Sequence, residues 1–242
     1  MRIDKRSLKE LRKISVKPHA NRYAEGSCFI SVGNTEVMCT VSVEDGVPGF
    51  LKGKGKGWVT AEYAMLPRSC GSRIPRESSK GKVGGRTHEI QRLIGRSLRS
   101  VVDFTKLGER TFWVDCDVLQ GDGGTRCASI TGSYIALHLA CQKLVKQGVL
   151  TAFPLKGQVA AVSVGIVKGQ PMLDLCYEED STAEVDMNIV MTDAGKFIEV
   201  QGTAESEPFS DAEMKKLVAL AKSGIAQLFQ AQRKALRLKS KS

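Results

Sequence analysis

Histidine is scarce: the 242 residues hold three, and His19, His88 and His138 are scattered. There is accordingly no HExxH motif and no serine triad signature, and His138 falls in an apolar stretch where a satisfied core residue is the plainer expectation. The seven cysteines (Cys28, Cys39, Cys70, Cys116, Cys127, Cys141 and Cys176) are odd in number, never within ten residues of one another, and form no CxxC. Neither a disulfide framework nor a zinc knuckle fits, so reduced thiols, several buried in strands, are expected. No apolar run approaches the roughly 18 residues of a membrane span. The N-terminus, MRIDKRSLKELRKI, lacks the apolar stretch and cleavage site of a secretory signal, and Asp4 and Glu10 argue against an Arg-rich presequence. A cytoplasmic protein with no membrane association is expected. A GxGxxG fingerprint and a GxxxxGK[ST] phosphate loop are also missing.

What is present is ordinary for a folded chain: 42% hydrophobic and 26% charged residues, which leaves disorder, collagen-like repeats and coiled coil as poor accounts. The length allows one large domain or two halves sharing a core. The charge is unevenly placed. Lys and Arg number 36 against 26 Asp and Glu, a net +10, and residues 1–110 hold 22 basic and 11 acidic residues. Residues 50–100 carry 12 basic residues against Glu62, Glu77 and Glu89 alone. By contrast, 174–193 contains Asp174, Glu178, Glu179, Asp180, Glu184, Asp186 and Asp193 with no Lys or Arg. A basic sector attracts a polyanion, and an acidic cluster can hold a divalent metal or move a proton. Each alone is weak; together they point to metal-assisted chemistry on nucleic acid.

Along the chain, a basic N-terminal arm precedes a hairpin, GSCFISV and EVMCTVSVED across a GNT turn. LKGKGKG reads as a mobile basic loop and WVTAEYAML as a strand. Pro67 then opens a loop to Gly85 with Arg68, Arg73 and Arg76. From Arg86 to Val102 an apolar stripe at helical spacing (Ile90, Leu93, Ile94, Leu98) leaves Arg92, Arg96 and Arg99 on another face, for solvent, a neighbouring subunit or RNA. TFWVDCDVL is a strand with Asp115 and Asp117 on one side, and Cys127–Val145 a core helix. A second half follows: VAAVSVGIV pairs with PMLDLCYEED, and DMNIVMT with FIEVQG. Ser210 and Glu213 then form a capping box for a helix to about Leu236, before a basic tail, 237–242, expected to fray. The repeated order hints at an internal duplication, with halves at about 1–148 and 149–236.

Two constellations carry chemistry. Gly123-Gly124-Thr125-Arg126 sits where a strand meets a helix, and free amides at a helix N-terminus hold an oxyanion. A plain glycine-rich turn is the competing account. Asp180 and Asp186, at the end of one strand and the start of the next, could meet across a turn to hold Mg²⁺ or handle a proton. A polar loop is the alternative there.

The segments GWVTAEYAMLPRS, GKVGGRTHEIQRLIGRSLR, DCDVLQGDGGTRCASITG, VSVGIV, DMNIVMT and IEVQGTAESEPFS closely resemble the ribonuclease PH family of phosphorolytic 3′→5′ exoribonucleases, over about residues 1–236. The chain departs at Ile3, usually proline, at Lys5, usually glycine, and in the spacers around Arg73. The resemblance implies an α/β (α+β) fold like ribosomal protein S5 domain 2, with two pseudo-repeated halves of mixed sheet and packed helices in a single domain. It implies a homohexamer, a trimer of dimers, that trims tRNA precursors by letting inorganic phosphate attack the terminal phosphodiester and release a nucleoside diphosphate. By the same resemblance Arg86, Gly124, Thr125 and Arg126 bind the attacking phosphate, and Asp180 and Asp186 support catalysis with Mg²⁺. Arg68, Arg73 and Arg76 match a loop that guides RNA. A non-catalytic ring subunit of an exosome-like assembly is the main alternative. A basic RNA chaperone is another, though it would need neither the acidic pair nor the GGTR helix start.

Overall fold

Segments with one apolar face build two sheets, and the helices fill the space between and beside them. The structure is a computed structural model that describes residues 2–238, apart from the side chains of Ser78 and Lys80. The first sheet contains β1 (Ile14–Pro18), β2 (Gly26–Val32), β3 (Thr35–Asp45), β4 (Trp58–Met65) and β5 (Arg110–Gln120), in the spatial order β1-β2-β3-β5-β4. All neighbours are antiparallel except β4 and β5, which run parallel because α1 (Gly85–Arg99) lies between them in the chain. The segment expected as a basic arm thus contributes β1, an edge strand whose alternating polar residues hide its pairing with β2.

The second sheet is antiparallel: β6 (Val159–Val167), β7 (Gln170–Leu173), β8 (Val185–Thr192) and β9 (Phe197–Ala204), in the order β7-β6-β8-β9. Helix α2 (Thr125–Lys146) packs on β2 and β3 of the first sheet and on β6 of the second, while α4 (Asp211–Leu236) covers β6 and β7. Every residue of β6 is therefore buried. Ala160, Val162, Val164 and Ile166 join Leu217, Ala221 and Ile225 of α4; Val159 and Ala161 join the larger cluster around α2. Gln232 of α4 is fully buried and ties the layers, its Nε2 donating to the carbonyls of Val159 (2.8 Å) and Thr131 (3.1 Å).

The α+β class is as expected, with one sheet mixed and the other antiparallel. One strand differs. PMLDLCYEED does not run extended to its acidic end: β7 stops at Leu173, Asp174 turns the chain at φ 55°, and Tyr177–Asp180 forms a single helical turn, α3. The turn closes because Glu179 accepts the Cys176 N–H (3.1 Å) and grips buried Arg2 (2.8 and 2.6 Å). A strand would give up this buried ion pair. Lys5 has φ 64°, the left-handed region that favours glycine, at the position where the resemblance expects one.

His138 is in the core, its ring tilted against Phe153 at a centroid distance of 4.8 Å, but not satisfied: its Nδ1 has no partner among the described residues, and burial lowers its pKa to about 4, so it is neutral. All seven thiols are free, and only Cys70 is not fully buried. No helix among the described residues is long and apolar enough to cross a membrane. Of the tail expected to fray, Arg237 ends α4 in a left-handed cap and Leu238 packs on the core; 239–242 lie outside the described residues.

Sheet and helix approach closely at Gly26, where a Cβ would overlap the Ala136 carbonyl and the Ala140 amide of α2. Gly26→Ala should destabilise the protein by about 3 kcal/mol or more, lowering the melting temperature by roughly 6 °C or more in thermal unfolding.

Candidate active site

The first sheet delivers the chain to α2 through Gly121-Asp122-Gly123-Gly124. Gly123 and Gly124 have φ of 73° and 65°, and a Cβ on Gly123 would sit 2.6 Å from the Leu175 carbonyl oxygen, so glycine is required twice over. Gly124 is the N-cap of α2 and provides no side-chain cap, which leaves the first amides of α2 open to an anion. Thr125 Oγ1 lies 2.9 Å from the Tyr63 hydroxyl of β4. Arg126 is held by Gln201 of β9 (2.7 Å) and Glu89 of α1 (3.4 Å). Arg86, in the first turn of α1, lines the same cleft of about 760 Å³.

Asp180 and Asp186 line the same cleft. Their placement follows from strand alternation. Val185, Met187, Ile189 and Met191 of β8 pack toward α4, so Asp186 and Asn188 must point the other way, toward α2. Asp180 arrives on the last residue of α3 rather than at a strand end. Burial raises both pKa values above the usual carboxylate range, and the neighbouring Asp180 charge helps push Asp186 up to about 6 against the pull of Arg126. Asp186 Oδ2 receives a bond from Asn188 (3.4 Å), while its buried Oδ1 has no partner among the described residues. Two ionisable oxygens brought together without a protein cation bonded to them suit a divalent metal or a shared proton.

The cleft thus brings together Arg86, Gly124, Thr125, Arg126, Asp180, Asp186 and Arg76. Arg68 lines an adjoining cleft of about 730 Å³ that shares Cys70 and Gly121 with the first. Arg73 is exposed and lines neither. Beyond Arg86, the α1 arginines are not gathered at the site. Arg92 is exposed, Arg96 is paired with Glu199, and Arg99 stacks 4.7 Å over Trp58 and donates to the Val59 carbonyl (3.0 Å). Sequence reasoning missed Tyr63, Glu89 and Gln201, which brace the anion side, and Tyr177, whose ring is 63% exposed at the cleft wall. Tyr177 alone had a signal, an aromatic within an acidic run.

Open helix amides and arginines in one cleft with a carboxylate pair, on two sheets that share a helix, suit an enzyme acting on phosphate esters. Residues 10–142 match domain 1 of the 3′ exoribonuclease family and residues 157–224 match its domain 2, and the chain belongs to that family. Ribonuclease PH of Solibacter usitatus (strain Ellin6076) is 58% identical over 233 residues, 96% of this chain and 98% of that protein. The chain is accordingly a phosphorolytic 3′→5′ exoribonuclease, a nucleotidyltransferase with phosphate as co-substrate. In fold it is similar to rice (Oryza sativa) Rrp46, with a TM-score of 0.77 at 19% identity over 96% of this chain and 98% of that one. The Archaeoglobus fulgidus exosome with RNA bound to the active site gives a TM-score of 0.80 at 21% identity, over 95% of this chain and 92% of that one.

Because the folded Asp186 binds its proton more tightly than an unfolded aspartate, its contribution to stability is present at acid pH and is lost as pH rises through about 6. Asp186→Asn should therefore abolish turnover. In a chelator at pH 7.5 it should nevertheless melt roughly 2–4 °C above the parent, the shift about 1 kcal/mol gives at this size, with the difference shrinking toward pH 5. Thermal melts across that range check the sign.

Proposed function

We propose that this enzyme trims the 3′ ends of tRNA precursors in the cytoplasm, as one folded unit of a homohexamer arranged as a trimer of dimers. The observation that carries the chemistry is the cleft itself, which gathers Arg86, Arg126, the open amides of α2, Asp180 and Asp186. Orthophosphate held by the arginines and amides attacks the terminal phosphodiester; the new P–O bond forms as the P–O3′ bond breaks, and a nucleoside diphosphate leaves. Two anions must approach, so the arginines and the helix end supply the charge neutralisation that the reaction needs. The O3′ of the shortened RNA takes up a proton, and the acidic pair, which retains protons above the usual carboxylate range, is placed to supply it.

The same pair would hold Mg²⁺. The fit rests on the unpartnered, buried Asp186 Oδ1 beside the Asp180 carboxyl. Among the described residues no cluster of three or more His, Cys, Asp or Glu could cage a metal, which matches an ion that takes only one or two carboxylates and completes its shell with substrate oxygens and water. Bound there, Mg²⁺ would offset charge on the transferring phosphoryl group. A non-catalytic ring subunit would need none of these groups, and this chain has all of them in one cleft.

Degradation of a 3′-extended tRNA should require orthophosphate and yield nucleoside diphosphates, and Arg86→Ala and Arg126→Ala should each lower the rate by about 10²–10³. Nucleoside monophosphates released equally well without phosphate would overturn phosphorolysis. Arg68 and Arg76 flank the two clefts, and Arg73 lies exposed beyond them, positions suited to backbone phosphates upstream of the cleaved bond. The triple Arg→Ala variant should bind structured precursors weakly, with a salt slope reduced by about 0.7–0.9 per lost contact, and should keep its melting temperature. Phosphorolysis of short single-stranded RNA should survive. Equal loss on both substrates would move these arginines into the chemical step.

A further inference from the structure

The phosphate loop is held from behind by a residue more than a hundred positions away. Arg12 is buried, and its guanidinium is fixed by Asp174, with Nη2–Oδ1 at 2.7 Å and Nε–Oδ2 at 3.0 Å, while its own amide donates to Asp174 Oδ2 (2.7 Å). From there Nη1 donates to the Asp122 carbonyl, and both terminal nitrogens reach the Gly123 carbonyl at 3.4 Å. Thr35 adds a second anchor: its Oγ1 donates to the Gly123 carbonyl (2.7 Å) and accepts the Asp122 amide (3.0 Å).

In a trans peptide the C=O and the next N–H point in opposite directions. Turning the Asp122 and Gly123 carbonyls toward Arg12 and Thr35 therefore turns the amides of Gly123 and Gly124 away from them. The cleft lies on that side: Gly123, Gly124 and Thr125 line it, whereas Arg12 lines the adjoining one. We infer that Arg12, clamped by Asp174, is a positioning residue that aims the Gly123 and Gly124 amides at the attacking phosphate, so that phosphate affinity is set by a buried ion pair that never touches phosphate. The inference rests on the phosphorolytic reading of the cleft. It explains why a buried charge pair is retained where apolar packing would suffice, since an apolar pair has no fork to hold two carbonyls.

The test is steady-state kinetics on Arg12→Lys, with orthophosphate and RNA varied separately. Lysine keeps the charge beside Asp174 but cannot bridge to both carbonyls. The phosphate KM should rise by roughly 10–100-fold, kcat at saturating phosphate should stay within about threefold, and the RNA KM should not move. Orthophosphate should also cease to raise the melting temperature at concentrations that stabilise the parent. Thr35→Val, which removes only the second anchor, should shift the phosphate KM the same way and serves if Arg12→Lys does not fold. An unchanged phosphate KM with kcat falling alongside the folded fraction, in whichever of these variants folds, would make the pair a structural staple and overturn the inference. Failure of the phosphorolytic reading shows separately, as a parent enzyme whose rate does not depend on orthophosphate.

Discussion

Helix α2 is buried along most of its length because a sheet lies on each side of it, and that placement creates the site. A helix sandwiched in this way can end only where its unpaired backbone groups find polar company. Its C-terminal turn reaches the surface with Lys143 and Lys146. Its N-terminus opens at the seam between the sheets, with a glycine in the N-cap place and no side chain to take up the amides. The core thus produces a concentrated positive dipole end facing a cleft, and the two sheets then fix which side chains surround it.

The second sheet brings to that seam the opposite charge. The arginines do not neutralise the acidic pair: for Asp186, burial and the Asp180 charge outweigh Arg126, and the carboxyl remains well above its ordinary value. Arg126 is engaged instead by Gln201 and Glu89. The free protein therefore keeps in one cleft a carboxyl pair that the arginines leave unneutralised. Such an arrangement is unfavourable for the fold and useful for a reaction in which an anion attacks an anion, because the pair is left in need of a partner that a proton or a metal supplies.

The sequence made some of this legible and hid the rest for physical reasons. Gly124-Thr125-Arg126, Arg86 and the aspartates could be read because glycine before an apolar helix and acids beside a strand are local patterns. Most strands and the α4 capping box were readable for the same reason. The helical turn at Tyr177–Asp180 was not, because what favours it over a strand is the Glu179–Arg2 pair, whose members lie 177 positions apart. Likewise the arginines of α1 read as one basic face, yet Arg96 and Arg99 are spent on Glu199 and on Trp58. The ring contact that places neutral His138 was invisible too, since Phe153 comes from beyond the helix.

The same long-range character governs how the site comes into being. Its walls need Arg2 and Arg12 from the first dozen residues, Arg86 from α1, the start of α2, the 174–186 segment and Gln201 from β9. Most of these groups are fixed by partners far away in the chain, so the ordering entropy of each loop is offset only when the two sheets close on α2. Once they have closed, the anchors act together. Asp174 holds Arg12, Arg12 holds the phosphate loop, and Arg2 holds both the Asp174 carbonyl (2.8 Å) and Glu179 at the base of α3. Two anchors from the first dozen residues thus brace the start of α2 and the base of α3, and this is how a segment remote from the chemistry comes to control its geometry.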